Sequence, residues 1–238
     1  MAQEITFDRR AELPQVYLKP VVSELVLPMN DLNAESGYVL YESEIITGTD
    51  DDELALENVR DYAAVYVDGN LQGRLTDGNK KILLKIAPGK HLLQLFVENI
   101  GRITYGPEIL DNAKGLFGAI TLDQGTIGSW KMIPLNIRNC KVGDLTFQVR
   151  SPATTPAFYK GVFKTDALKA TYLDVSGWGM GEVWINNKYV GSYWEEEKQQ
   201  SIAIPSDDLL ASENEIVVFE LKNNAQKTMK LSQIPIFK

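Results

Sequence analysis

One cysteine and one histidine are all that this sequence offers to redox and imidazole chemistry. Cys140 has no second cysteine to pair with, so no internal disulfide staples the fold. It reads first as a small buried hydrophobe; a reactive thiol is the alternative, although Arg138 and Lys141 alone do not establish a depressed pKa. His91 opens an extended stretch and has no obvious partner. Hydrolytic triads and most metal sites need imidazole together with other placed groups, so neither a metal nor a cofactor is expected. A basic excess is also missing: 24 basic against 32 acidic side chains leave a formal charge of -8. Such a surface repels phosphate backbones and anionic lipid, and no nucleic-acid or membrane partner is expected. No apolar run approaches the length of a bilayer span, and the first residues lack the order of a signal peptide. No glycine loop ending in Lys-Ser or Lys-Thr occurs, and Gly177 to Gly181 lacks the strand-to-helix setting of a dinucleotide fingerprint. That segment reads as a close-packed crossover.

Helical spacing is scarce as well, whereas apolar side chains recur with period two almost throughout. Val65 and Val67 alternate with Ala64 and Tyr66, and Val217, Phe219 and Leu221 alternate with Val218, Glu220 and Lys222. Asp68-Gly69, Asp77-Gly78, Pro88-Gly89 and Asn186-Asn187 supply turns, either by tolerating positive φ or by presetting a tight bend. Many short strands with such turns predict an all-β sandwich or barrel. One helical turn is expected after Ser206, with its hydroxyl as the cap.

The strand pattern occurs twice. VYVDGNLQG at 65–73 aligns with VWINNKYVG at 183–191 in strand parity, turn pair and terminal glycine. Each copy is followed by a strand that ends near a proline, at Pro88 or Pro205, and then by another strand, 92–99 or 216–223. Two similar sandwiches in tandem account for this. Residues 1–35, broken by Pro14, Pro20 and Pro28, read as an extended connector; residues 36–138 form the first sandwich and 139–238 the second. Ser151 to Pro156 is a second candidate linker.

Glycosidases need two opposed carboxyl groups in a rigid pocket. The consecutive acids Asp50 to Glu53 and Glu195 to Glu197 read instead as solvated charge runs, and no catalytic residue is assigned. The positive chemical signal is aromatic: Trp178, Trp184, Tyr189, Tyr193 and Trp194 fall between residues 178 and 194. Sugars stack their C–H faces on such rings, and aromatic side chains equally build sandwich cores. Core or interdomain packing is the first reading. A carbohydrate platform of Trp178, Tyr193 and Trp194 is the second.

Seven strings, in order and spacing, resemble the non-catalytic C-terminal region of family-35 glycoside hydrolases, the β-galactosidases. They are GYVLY at 37–41, VRDYAAVYVDG at 59–69, VENIGRITYG at 97–106, KGLFGAITLD at 114–123, PAFYKGVF at 156–163, TYLDVSGWGMGEVWINNKYVGSYW at 171–194 and ENEIVVFEL at 213–221. The resemblance implies two galactose-binding-domain-like jelly rolls that follow a catalytic (β/α)₈ barrel in the full enzymes. Such a barrel needs about 250 residues, which the matched sandwiches leave no room for here. The chain alone is therefore expected not to be an enzyme. Its implied partner is the barrel in cis, a galactoside glycan is a further candidate, and the parent would be secreted, periplasmic or lysosomal. The competing functions are a free-standing carbohydrate-binding module and an independent adhesion or assembly protein. Two departures stand out. Asn186-Asn187 replaces the family's Asn-Gly turn, and Glu195 to Lys198 replaces a Gly-Pro-Gln segment, which puts any family role of that loop in doubt.

Overall fold

The computed structural model describes residues 3–100, 113–123, 125–151, 156–165, 169–222 and 225–238. Residues 101–106 of the third family string and 152–155 of the second linker candidate lie outside the described residues. The chain divides into two compact units, Val16–Ile137 and Met1–Gln15 with Arg138–Lys238. Each is a β-sandwich, as the period-two pattern predicts.

In the first sandwich a six-stranded sheet runs Val21–Ser23, Trp130–Leu135, Gly37–Thr47, Gly89–Asn99, Tyr62–Val67, Asn70–Thr76. It faces a four-stranded sheet that contains Asp51–Arg60 and Gly115–Leu122. Alternation is converted into packing by register: Tyr41, Leu95 and Val65 form one cross-strand row, and Val39, Val97 and Ala63 the next. All six side chains belong to a single core. Burying a Val or Leu fully is worth about 1.5–3 kcal/mol, so rows of this kind fix the pairing, because a slip of one residue would turn each row to the other face.

The second sandwich repeats the strand order. Ala157–Lys164, Glu213–Glu220, Met180–Ile185 and Lys188–Trp194 neighbour one another as Gly37–Thr47, Gly89–Asn99, Tyr62–Val67 and Asn70–Thr76 do in the first. The repeated hairpins match in detail. Both carry a register shift within the first strand, at Val65/Tyr66 and Val183/Trp184, and both ending glycines, Gly73 and Gly191, have φ of 155°. Asp68 and Gly69 turn with φ of 48° and 75°, and Asn186 and Asn187 with 49° and 66°. The Asn-Asn pair therefore keeps the doubly left-handed turn, since asparagine is one of the few residues with a side chain that enter this region readily.

The expected connector over residues 1–35 is divided between the two units. Glu4–Glu12 is an internal strand of the second sandwich, paired with Ala157–Lys164 on one side and with Thr228–Ser232 on the other. It sits beside Ala157–Lys164 as Trp130–Leu135 sits beside Gly37–Thr47. Its alternation is interrupted at Asp8, where the register against Ala157–Lys164 shifts between Phe7 and Arg9. That interruption hides the strand from a period-two reading. The turn expected after Ser206 is a single 3₁₀ turn, Ser206–Asp208, without a side-chain cap.

Candidate functional site

Trp178, Tyr193 and Trp194 lie where the crossover from Gly177 to Gly181 enters the sheet of the second sandwich. Gly179 and Gly181 are dictated by crowding. A Cβ at Gly181 would lie 1.7 Å from the Phe219 carbonyl oxygen, and one at Gly179 would lie 2.8 Å from Glu220 Oε1. The backbone can therefore close onto Glu220, a side chain with no exposed surface. Its Oε2 accepts hydrogen bonds from the Gly179 N–H at 2.9 Å and the Tyr193 hydroxyl at 3.2 Å. Its Oε1 accepts from the N–H groups of Met180 at 3.2 Å and Lys222 at 2.8 Å. Burial pushes the Glu220 carboxyl up, against the pull of these four donors. Tyr193 is pushed well up by burial and by the neighbouring Glu220.

The three proposed platform residues separate on burial. Trp178 is 1% exposed and packs edge-on against Phe7 at 5.1 Å, donating its indole N–H to the Thr228 carbonyl at 2.9 Å. Tyr193 is 6% exposed, its hydroxyl 3.0 Å from the Phe219 carbonyl. Neither ring has a face to offer a sugar; both belong to the core of the second sandwich. This corrects the platform for Trp178 and Tyr193, and the cause is the glycine-lined crossover that draws both rings inward. Trp194 is half-buried. The altered loop beside it is closed by its own contacts, with the Gln200 amide donating to the Glu197 carbonyl at 2.6 Å and Lys222 pairing with Glu195.

A second carboxylate, Glu182, is also wholly buried; it accepts from Arg138 Nε at 2.6 Å and from the Tyr189 hydroxyl at 2.7 Å. Carboxyl groups without exposed surface cannot reach a glycosidic oxygen, so Glu182 and Glu220 organise the interior. Sequence reading missed both, because a lone acid within an apolar strand gives no sign that its partners come from other strands. Among the acid runs, Asp52 accepts from the N–H groups of Gly48 at 2.7 Å and Thr49 at 2.8 Å and from the Thr49 hydroxyl. These bonds, the Thr49 hydroxyl first, hold its carboxyl below the usual range. Glu53 pairs with Lys81 at 2.7 Å. Both are turn and edge interactions. Burial pushes the Cys140 thiol up to about 11, which keeps it protonated at neutral pH. Among the described residues no group of three or more metal-ligating side chains occurs.

The matches with known proteins fall on the two sandwiches. Residues 27–136 match the model described as β-galactosidase, first all-beta domain, and residues 156–214 match the β-galactosidase galactose-binding domain. A β-galactosidase of Xanthomonas manihotis is 32% identical over 179 residues, 74% of this chain and 29% of that protein. The human β-galactosidase-1-like protein 2 is 31% identical over 208 residues, 85% of this chain and 32% of that protein. The β-galactosidase of Canis lupus familiaris is 32% identical over 228 residues, 86% of this chain and 34% of that protein. The chain thus spans about a third of the length of the relatives it matches. With both domain models matched in order, the chain belongs to the β-galactosidases, as their first all-beta domain followed by their galactose-binding domain.

Proposed function

We propose that the chain is the non-catalytic accessory module of a family-35 glycoside hydrolase and braces a (β/α)₈ catalytic barrel in cis. The observation that carries this reading is where the matches fall: two all-β domains that make up about a third of each relative. The remaining length of those relatives is ample for a barrel of about 250 residues. The surface of the first sandwich supports the same reading. Val21–Ser23 ends its sheet, and Leu18, Val22 and Leu25 around it are 51%, 74% and 60% exposed. An open strand edge with adjacent bare aliphatic side chains is what a docked neighbour would cover. A parent of this kind would be secreted, periplasmic or lysosomal.

The reading is tested on the reading frame upstream of Met1 and on the protein it encodes. The expected result is a continuous frame carrying a barrel, whose thermal midpoint falls by several degrees in Val22→Asp and Leu25→Asp variants. A stop codon directly upstream, or a barrel indifferent to both variants, overturns it. The half-buried Trp194 and the description of the second matched domain favour one other reading, a free-standing module for galactose-containing glycans. Flat calorimetric titrations across a galactoside panel remove that alternative.

A further inference from the structure

The bulge in Glu4–Glu12 leaves two charges on the surface of the second sandwich that its own fold does not use. Phe7 opposes Gly161 and Arg9 opposes Lys160, so Asp8 is the extra residue, and a bulge of this kind re-aims a side chain. Asp8 and Arg9 are both exposed, and among the described residues neither side chain makes a hydrogen bond or an ion pair. They line one cleft of about 470 Å³, together with Lys160 and Val162. The other charges of this face are taken. Lys160 pairs with Glu215, and its ammonium lies 5.3 Å from the centre of the Phe147 ring.

Apolar surface and an open edge adjoin the free pair. Val149, the cross-strand neighbour of Arg9, is 78% exposed, and Val162, opposite Glu215, is 52% exposed. Gln148–Val149 pairs with Glu4–Glu12, and among the described residues no strand lies on its other side, which leaves an edge that another chain can meet. Asp8, Arg9, Lys160 and Glu215 sum to zero charge, whereas the whole chain carries -8. Two copies can therefore approach at this face without the repulsion that their net charge imposes elsewhere. Adjacent opposite charges also select the occupant. A partner of one sign would satisfy Asp8 or Arg9 and repel the other. A two-fold axis sets a patch against its own copy, so that when one residue meets a second, the second meets the first. Asp8 then receives the guanidinium of Arg9 from the second copy, and Arg9 the carboxylate of Asp8, giving two fork-to-carboxylate pairs from one patch.

We infer that this face of the second sandwich is a two-fold contact between copies of the chain, held by reciprocal Asp8–Arg9 pairs with Val149 and Val162 as its apolar part. It belongs to the unit that does not contain Val21–Ser23, and it stands or falls independently of the bracing role. Sedimentation equilibrium of the whole 238-residue chain at submillimolar concentration tests it. The wild type is expected to approach twice the mass of one chain. Asp8→Arg sets guanidinium against guanidinium, and Arg9→Asp sets carboxylate against carboxylate, so each alone should weaken self-association about tenfold or more. An equimolar mixture of the two variants restores both pairs and should associate as the wild type does. Val149→Asp should also weaken association, and it keeps the test valid if a bulge variant misfolds. A monomeric wild type overturns the contact. So does self-association unchanged in a folded charge variant or in Val149→Asp, or a mixture of folded variants that stays monomeric. A dimer abolished by Val22→Asp and kept in Asp8→Arg also overturns it, since the first sandwich would then make the contact.

Discussion

His91 Nδ1 lies 2.7 Å from Asp68 Oδ2, and its Nε2 lies 2.8 Å from the Ala87 carbonyl oxygen. Both ring nitrogens therefore face acceptors, an arrangement that only the doubly protonated imidazolium satisfies. Asp68 also receives the Leu92 N–H at 2.9 Å, so the pair ties the Asp68-Gly69 turn to the start of Gly89–Asn99. The Asp68 hydrogen bond first and the Ala87 carbonyl second raise the His91 pKa, while Asp68 is lowered chiefly by the same His91 bond.

A histidine whose folded pKa exceeds its unfolded value contributes stability that is complete below the unfolded pKa and lost as pH rises through the folded one. Asp68, lowered on folding, loses its contribution only as pH falls through its depressed value. Since His91 is the chain's one histidine, the thermal midpoint of the first sandwich is expected to fall as pH rises above the ordinary histidine range of about 6.5. The pair is solvent-exposed in part, so the fall should be roughly 2–4 °C. Calorimetry across that range checks it, and His91→Asn should flatten the profile. A wild-type midpoint independent of pH contradicts the assignment.

Gly181→Ala is expected to destabilise the second sandwich by about 3 kcal/mol or more, because the new Cβ would sit 1.7 Å from the Phe219 carbonyl oxygen. Gly78→Ala is its control: nothing lies within 4 Å of a Cβ there, and the change should stay within about 0.5 kcal/mol. Urea unfolding midpoints for the two variants separate crowding from a general cost of losing glycine.

The two asparagines of the second hairpin turn should behave differently. Asn186 donates to the Asp208 carbonyl at 2.8 Å and to Asn214 Oδ1 at 2.9 Å, and accepts from the Glu215 N–H at 2.9 Å. Among the described residues the Asn187 side chain makes no hydrogen bond. Asn186→Gly should therefore cost about 1–3 kcal/mol, while Asn187→Gly, at φ of 66°, should be neutral or slightly stabilising. Denaturation curves of both variants decide it.

Much of the fold was legible because register, turn and repeat coincide in the sequence. The rows through Val65 and Val97 follow from alternation, and the hairpin at Asn186-Asn187 follows from the tolerance of asparagine for positive φ. Glu4–Glu12 was not legible, since its bulge breaks the period and its partners lie more than a hundred residues away. The same distance concealed the buried site. From spacing Trp178 and Tyr193 read first as core and second as platform, and the fit of Gly179 and Gly181 against Glu220 and Phe219 is what turns them inward. His91 has no partner near it in sequence order because Asp68 reaches it through the pairing of Tyr62–Val67 with Gly89–Asn99.

We propose that these two sandwiches accompany a galactoside-cleaving domain and break no bond themselves. Hydrolysis of a nitrophenyl β-galactoside by the purified chain tests it most directly. No turnover above the buffer blank is expected at any pH between about 4 and about 8, the range in which paired carboxyl groups exchange acid and base roles. Turnover that co-elutes with the chain and disappears in a Glu182→Gln or Glu220→Gln variant that remains folded would contradict it.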